Sequence, residues 1–166
     1  MALRCLLLLL LALPLGQAAE KTGAVVTVHP LATKAAEQAF KQGGNAVDAT
    51  VAAALTLGVV DGFNSGIGGG CFMLIRKPDG TFVAIDGRET APQKASRDMF
   101  LHDGKADPGL SRTGALAIGV PGALAAYDLA ICEHGNIDLA EHLGQAAAIA
   151  EKGFALDNAY LRRLGQ

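Results

Sequence analysis

The apolar positions of this chain recur first with the period of a strand and then with the period of a helix. Residues 23–30, GAVVTVHP, are mainly β-branched and apolar and end in a proline that cannot continue a ladder, so they predict a strand. The next stretch, LATKAAEQAFKQGG, predicts an amphipathic helix whose apolar face is made mainly of alanine. Its last two residues, Gly43 and Gly44, supply the left-handed stop that ends many helices.

A second helix follows at once and differs from the first because it has no polar face. Asn45 is the expected N-cap, and Asp48 lies in the first turn, where the helix dipole favours a negative charge. The segment AVDATVAAALTLGVV is apolar nearly all round and consists mainly of alanine and valine. A helix of this kind is buried on several sides, so we expect it to lie in the core between other layers.

The remaining pattern predicts a hairpin and two further helices. Two strand-like runs in CFMLIRKPDGTFVAIDG flank an Asp-Gly step, which is typical of a type I′ turn. Further on, GALAIGVPGALAAYDLAICEHG predicts a short strand, a Pro-Gly break and a helix that ends near Gly135. A last helix is predicted between Asp138 and Gly153, and the final residues, ALDNAYLRRLGQ, predict no closing element. Strands that alternate with helices, together with a hairpin, indicate a mixed α/β layered fold.

Residues 1–19 have the pattern of a secretory signal peptide. A positive charge at Arg4 precedes a leucine-rich run, and small residues follow at Ala18 and Ala19. The apolar run is shorter than the about 20 residues that span a bilayer, so cleavage is favoured over retention as a membrane anchor. We therefore expect an exported protein that is periplasmic, extracellular or at the cell surface.

Composition narrows the function of the remaining residues, 20–166. They are the size of one domain at most, and their 13 basic and 16 acidic residues suggest neither nucleic-acid binding nor a basic membrane patch. Cys71 and Cys132 are too few for a disulfide scaffold and have apolar neighbours, so we expect two buried free thiols. The histidines are scattered without metal-ligand spacing, and neither a metal nor another cofactor is expected. Each histidine is expected at the surface or in a loop: His29, His102, His134 and His142.

Two short motifs, SGIGGGCFMLI and AIDGRETAP, are the candidates for a ligand-binding site. The glycines of residues 66–70 lack the Gly-Lys-Ser/Thr ending of a P-loop and lead into a strand, so no helix N-terminus is placed to bind an anion. We expect them to allow a sharp turn and the close approach of another backbone or a ligand. Arg88, at the end of the second hairpin strand, can hold a carboxylate through two parallel hydrogen bonds. On local sequence alone, a structural ion pair with Asp86 or Glu89 is favoured over that role.

Six collinear segments resemble the N-terminal part of the γ-glutamyltransferases, also called γ-glutamyl transpeptidases or glutathione hydrolases, which are N-terminal-nucleophile hydrolases. The segments run from about Thr22 to the end of the chain: PLATKAAEQAFKQGGNAVDATVAAALTLGVV, SGIGGGCFMLI, AIDGRETAP, SRDMF, GVPGALAAYDLA and AEKGF. The most distinctive motifs are GGNAVDA, GIGGG and DGRETAP. The resemblance implies that residues 20–166 are the N-terminal portion of a large subunit, an incomplete part of a four-layer αββα sandwich.

The resemblance also implies a mechanism whose nucleophile lies outside this chain. Members of the family are made as one precursor that cleaves itself, and the threonine freed at the start of the small subunit attacks the γ-glutamyl carbonyl. Its own α-amino group can act as the base, and water, an amino acid or a dipeptide then accepts the glutamyl group. This threonine, the oxyanion-hole glycines and the serines of the substrate pocket have no counterpart before Gln166, since Ser111 and Thr113 are ordinary loop residues here. We therefore expect the chain alone to be inactive.

Within this chain the resemblance assigns one substrate-binding residue, Arg88. In the family, the arginine of the corresponding motif binds the α-carboxylate of the γ-glutamyl group, for which a planar guanidinium is better suited than lysine. Glu89 matches the same motif, and no more than a supporting role is implied for it. Two departures are modest: DGFN at residues 61–64 replaces a proline-containing stretch, and Cys71 replaces a glycine or apolar residue.

Three interpretations of the function follow. The chain can be a fragment of a secreted γ-glutamyltransferase precursor, whose partners are glutathione or another γ-glutamyl substrate, an amino-acid or peptide acceptor and the small subunit. It can instead be a complete but catalytically inert remnant or binding module. The third interpretation is a β-lactam side-chain acylase with the same framework. Continuation of the reading frame past Gln166 toward a threonine-containing cleavage motif separates the first interpretation from the second.

The small residues after the leucine-rich run predict that export removes the leader near Ala18 or Ala19. Mass spectrometry of the secreted product should show a mature N-terminus at this point. A secreted product that retains Met1 would contradict the prediction.

Overall fold

Two helices that pack against each other through alanine form the centre of the fold. The computed structural model describes residues 23–165. In chain order its elements are α1 (Pro30–Lys41), α2 (Ala46–Val60), β1 (Cys71–Arg76), β2 (Phe82–Gly87), β3 (Leu101–His102), β4 (Lys105–Ala106), α3 (Pro108–Arg112), a 3₁₀ turn (Ala115–Ala117), α4 (Ala123–His134), α5 (Leu139–Lys152) and α6 (Asn158–Leu164). The four helices predicted from the sequence are therefore confirmed, and so is the mixed helix and strand fold.

The contact between α1 and α2 contains no large buried side chain. Its members are Ala32, Ala35, Ala36 and Ala39 of α1 and Ala49, Ala52 and Ala53 of α2, all at most 8% exposed. Because alanine extends only as far as its Cβ, the two backbones can lie close together. The opposite side of α2 presents Val47, Val51 and Leu55 to the remaining helices and the sheet. The predicted burial of α2 on several sides is confirmed.

One buried carboxylate joins the start of α2 to the helix that packs beside it. Asp48 Oδ2 accepts the N–H of Asn45 at 2.7 Å and so completes a capping box. Asp48 Oδ1 accepts the backbone N–H groups of Asn136 and Ile137, each at 3.0 Å, just before α5. The ring of His142 on α5 lies 3.6 Å from the same oxygen, and both side chains are fully buried. The carboxylate thus accepts hydrogen bonds from three backbone N–H groups, and the imidazole lies beside it without a hydrogen bond.

The burial of His142 and the exposure of Cys132 are both corrections to the sequence-based predictions. His142 lies on the inward face of α5, one turn before the buried Ala146, and is not a surface or loop histidine. Cys132 follows the buried Ile131 on α4, so the rotation of about 100° per helical residue turns it to the exposed side. Cys71 is half-buried, and both thiols are free as expected. Apolar neighbours in sequence do not report which face of a helix a residue occupies.

The predicted hairpin is confirmed, but its turn differs from the predicted type. β1 and β2 pair antiparallel from Cys71–Gly87 to Arg76–Phe82. Gly80 is the turn residue with positive φ, at 87°, and its N–H donates to the carbonyl of Lys77 at 2.9 Å. A type I′ turn needs two residues with positive φ, whereas Pro78 has its φ fixed near −65° and suits the second position of a type I turn. The connection is therefore a type I turn closed by a glycine.

The two faces of the hairpin have different surroundings, although both are apolar. Met73, Ile75, Val83 and Ile85 point toward the helices and pack against the core. The opposite face carries Phe72, Leu74 and Phe82, which are 72%, 70% and 62% exposed. A sheet with apolar residues on both faces is typical of strands covered from both sides.

Two predicted strands do not form in the described residues. Residues 23–28 belong to no strand, and Val26 and Val28 are 95% and 78% exposed. The short strand predicted before the Pro-Gly break is a 3₁₀ turn followed by a single bridge between Thr90 and Val120. A strand needs a neighbouring strand for its backbone groups, and within residues 23–165 this segment packs against α1 and α2 without pairing with any strand.

Several short elements were not predicted from the sequence: β3, β4, α3 and α6. The last of these, α6, starts at an N-cap formed by Asp157, whose side chain accepts the N–H of Tyr160 at 2.8 Å. None of the helices within residues 23–165 is both long enough and apolar enough to cross a membrane. The predicted signal peptide lies outside the described residues.

The exposed apolar face of the hairpin predicts that the isolated chain self-associates. Residues 20–166, expressed alone, should self-associate and bind a hydrophobic dye, because exposed apolar patches of this kind promote association. Replacing Phe72 and Leu74 together with threonine should reduce both signals in light scattering and dye fluorescence. Met73→Thr, at the neighbouring inward-facing position, is the matched control and should not reduce either signal. A monodisperse wild-type chain that binds no dye would contradict the prediction.

Candidate functional site

Arg88 lies directly after the last residue of β2 and is fixed there by its backbone. Its N–H donates to Asp86 Oδ1 at 3.0 Å, so Asp86 holds the main chain and not the guanidinium. The guanidinium forms an ion pair with Glu89, with 3.4 Å between Nη1 and Oε2, and the Arg88 side chain is 65% exposed. The ion pair with Glu89 expected from local sequence is therefore present. A guanidinium carries five N–H donors, so one such pair leaves donors available for an anionic ligand.

Arg88 and Glu89 open onto a cavity of about 600 Å³. Its other walls are the glycine run, the turn that follows α2, Tyr127 of α4, and Ala54 and Leu57 of α2. Arg88 is the one cationic side chain among these lining residues. The volume lies in the range of about 300–1,000 Å³ that is usual for small-molecule sites. The arrangement suits a small ligand with a carboxylate at one end.

The turn after α2, which contains the DGFN departure, forms one wall of this cavity. Asp61 is buried, and its backbone carbonyl accepts the N–H groups of Asn64 at 3.0 Å and Ser65 at 2.9 Å. Its carboxylate also accepts the Asn64 side-chain amide at 3.2 Å. Phe63 packs edge-on against Tyr160 of α6, with 5.3 Å between the ring centroids. No sequence pattern predicted this wall, because α6 was not predicted and Phe63 and Tyr160 are far apart in the chain.

The glycine run is framework, as predicted, and brings three elements together. The carbonyl of Gly69 accepts the N–H groups of Gly122 at 3.1 Å and Ala123 at 3.2 Å, which start α4. A Cβ at Gly70 would lie 2.6 Å from the carbonyl oxygen of Gly87, and one at Gly122 would overlap the same oxygen. These contacts involve backbone atoms, which cannot rotate away. Glycine is therefore required where the start of β1, the end of β2 and the start of α4 meet.

The groups beside Arg88 on α4 and β1 are uncharged at neutral pH. Burial raises the pKa of the Tyr127 phenol, and the nearby Cys71 raises it further. Burial also raises the pKa of the Cys71 thiol above its ordinary value. Glu89 is thus the charged partner that the structure gives to the Arg88 guanidinium.

The other residues considered for catalysis do not take part in this cavity. Ser111 lies in α3 and Thr113 at its C-cap, both are exposed, and neither lines the cavity around Arg88. Across residues 23–165, no three His, Cys, Asp or Glu side chains are close enough together to hold a metal ion.

Comparison with known proteins gives consistent matches. The profile of the family described as gamma-glutamyltranspeptidase matches residues 32–166. The chain is 44% identical over 140 residues to a glutathione hydrolase proenzyme of Escherichia coli, a match that covers 84% of this chain and 24% of the relative. It is also 44% identical over 141 residues to the acylase ACY 1 proenzyme of a Pseudomonas species, covering 81% of this chain and 25% of that protein.

A solved structure from the same family has a similar fold. The crystal structure of Helicobacter pylori gamma-glutamyltranspeptidase superposes with a TM-score of 0.84 at 38% identity, and the match covers 87% of this chain and 42% of that one. The chain spans about a quarter of the length of the curated relatives that it matches. The described residues therefore correspond to one part of a larger layered fold.

The framework role of the glycine run predicts that its members differ in tolerance to substitution. Gly70→Ala should destabilise the assembled enzyme by about 1–3 kcal/mol, because the added Cβ meets backbone that cannot yield without displacement. Gly68→Ala is the matched control, since nothing lies within 4 Å of its Cβ position, and its effect should stay within about 0.5 kcal/mol. Chemical or thermal unfolding measures both. Equal stability of the two variants would show that the close approach at Gly70 is not required.

Proposed function

Since this chain belongs to the gamma-glutamyltranspeptidase family, we propose that residues 20–166 are the N-terminal portion of the large subunit of a γ-glutamyl-transferring enzyme. The proposed reaction moves the γ-glutamyl group of glutathione or a related compound to water, or to an amino acid or peptide. The nucleophile is a threonine that lies outside this chain. The contribution of the residues described above is to bind and orient the substrate.

The observation that carries this proposal is the position of Arg88 at the wall of the cavity. Every γ-glutamyl compound has the same α-amino and α-carboxylate pair at one end, while the group attached to the γ-carbonyl varies. A partly exposed guanidinium, the one cation among the described residues that line a cavity of about 600 Å³, suits that invariant carboxylate. A bidentate pair would also fix the direction of the glutamyl chain, because the guanidinium is planar.

The same glutamyl chain separates the α-carboxylate from the γ-carbonyl in every γ-glutamyl compound. A fixed α-carboxylate therefore places the γ-carbonyl at the same distance from Arg88, whatever the leaving group is. In the proposed reaction, the threonine hydroxyl adds to that carbonyl, and its proton passes through the threonine amine to the departing amine. Water or an acceptor amine then repeats the sequence on the resulting ester. Orientation of this kind lowers the barrier by holding the reacting atoms near their attack geometry.

We also propose that the small subunit of the same precursor covers the exposed face of the hairpin. Phe72, Leu74 and Phe82 give that face an apolar surface suited to a second sheet layer, as in an αββα sandwich. Export through the N-terminal leader, to the periplasm, the cell surface or the medium, is part of the same proposal.

A second candidate is a related acylase, and the 44% identity to the acylase ACY 1 proenzyme favours it. The two candidates differ in the acyl group that the cavity accepts. An acyl side chain that ends in a carboxylate but lacks the α-amino group can also pair with Arg88, so Arg88 can serve either substrate. Parallel assays with a γ-glutamyl anilide and a β-lactam that carries such a side chain separate the candidates by their kcat/KM values.

Loss of the Arg88 guanidinium should strongly lower kcat/KM of the complete enzyme. In the complete enzyme, where we propose that the small subunit and the bound substrate cover Arg88, Arg88→Ala leaves the substrate carboxylate unpaired, which costs about 2–5 kcal/mol for a buried charge pair. The expected loss in kcat/KM is roughly 30- to several-thousand-fold at about 1.4 kcal/mol per tenfold. Arg88→Lys should restore part of the loss, because one ammonium supplies the charge without the planar fork.

Two controls accompany this measurement. Self-cleavage of the precursor, followed on a gel, should be unchanged in both variants, because cleavage requires the threonine and its peptide bond and not a bound glutamate. Arg97→Ala removes an arginine that is also paired with the next residue but is 93% exposed, so it should leave kcat/KM unchanged. A correctly processed Arg88→Ala enzyme with near-normal kcat/KM would limit Arg88 to a structural ion pair.

A further inference from the structure

The carboxylate of Glu89 is partly shielded from solvent beside the Arg88 guanidinium. Its side chain is 32% exposed overall, but Oε2 is shielded from solvent. Within residues 23–165, no donor hydrogen-bonds to this oxygen, and its ion-pair partner is Arg88 Nη1 at 3.4 Å. A shielded carboxylate oxygen without a hydrogen bond is unfavourable, so the Arg88 charge is what compensates it.

Three glycines from two loops shape the space that holds this carboxylate. A Cβ at Gly69 would lie 3.2 Å from Glu89 Oε1, and a Cβ at Gly70 would lie 2.8 Å from Oε2. On the other side, a Cβ at Gly119 would lie 3.1 Å from the Cβ of Glu89. We call the space between Gly69, Gly70 and Gly119 the glutamate slot. A larger residue at any of these positions would press on the Glu89 side chain.

The main chain next to Glu89 is also held in place. Thr90 and Val120 exchange two backbone hydrogen bonds, at 3.2 and 2.9 Å, in an isolated bridge. On the preceding side, the backbone of Arg88 is bound to Asp86. The slot and these backbone contacts leave the Glu89 carboxylate little freedom, so the fold sets the position of the carboxylate.

A comparison with the other arginine–acid neighbours shows what is particular to this pair. Arg97 and Asp98 are adjacent in sequence and lie 2.9 Å apart, but their side chains are 93% and 59% exposed and line no described cavity. Exposed pairs of that kind contribute little. The Arg88–Glu89 pair differs because one carboxylate oxygen is shielded and the guanidinium faces the cavity.

We propose that Glu89 is a positioning residue for substrate binding: held in the glutamate slot, it fixes one edge of the Arg88 guanidinium so that the remaining N–H donors face the substrate carboxylate. This inference rests on the proposed role of Arg88. It also gives the glycine run a function, because the run forms one wall of the slot that holds the carboxylate.

The test uses Glu89→Gln in the complete, processed enzyme, which removes the charge but nearly keeps the shape of the side chain. Without Glu89 the Arg88 guanidinium is no longer held, and its binding to the substrate and to the transition state should weaken by the same amount. KM for a γ-glutamyl anilide should therefore rise about 10- to 100-fold, with kcat little changed. Asp98→Asn is the matched control and should leave KM unchanged. An unchanged KM in correctly processed Glu89→Gln enzyme would overturn the inference.

A double-mutant cycle separates this inference from the proposed function. If Glu89 acts through Arg88, Glu89→Gln should cause no further loss in an Arg88→Ala background. Equal losses in both backgrounds would overturn the positioning role and leave the role of Arg88 intact. A near-normal Arg88→Ala enzyme would instead overturn the proposed function itself.

A milder substitution keeps the inference testable if Glu89→Gln fails to fold or to process. Glu89→Asp preserves the charge and fits within the slot, but it withdraws the carboxylate from the guanidinium by one methylene. KM should then rise several-fold, less than in the glutamine variant. An unchanged KM in Glu89→Asp would count against the inference in the same way.

Discussion

The close approach of glycine backbones around the carbonyl of Gly87 is the constraint on which the site depends. Gly70 at the start of β1 and Gly122 at the start of α4 both come within reach of that carbonyl, where no side chain would fit. The carbonyl of Gly69 in turn accepts the first N–H groups of α4. The end of β2 is thereby fixed against a strand and a helix, and the next residue in the chain is Arg88. The glycine contacts that hold the elements together therefore also fix the backbone position of Arg88.

A second centre, at Asp48, holds the helical layer behind the sheet. Its carboxylate accepts three backbone N–H groups from two segments far apart in sequence and faces the buried imidazole of His142. Removing one partner from such a network leaves buried polar groups unpaired, which costs more than the hydrogen bonds contribute. The alanine contact between α1 and α2 has no polar specificity of its own, so this network supplies a fixed register for the helices around it.

Local signals in the sequence were sufficient for the helices, the hairpin and the role of the glycine run. Each of these depends on neighbours within a few residues, such as the Asn45 cap, the periodic alanines and the Pro-Asp-Gly turn, although Pro78 selects a different turn type. The errors arose where the structure depends on distant residues. The strand predicted at residues 23–30 has no strand partner in the described residues, and His142 is buried next to Asp48, which is far from it in sequence. The wall formed by Phe63 depends on Tyr160 of α6, which no sequence pattern linked to it.

The proposed recognition of a γ-glutamyl group reduces to one contact between a guanidinium and a carboxylate. A crystal structure of the complete enzyme with glutamate bound in the cavity tests that contact most directly. The account predicts both α-carboxylate oxygens at about 2.7–2.9 Å from nitrogens of Arg88, the usual distance for a charge-assisted pair, with Glu89 still seated against the other edge of the guanidinium. A glutamate whose α-carboxylate is bound elsewhere, while Arg88 pairs with Glu89 alone, would contradict it.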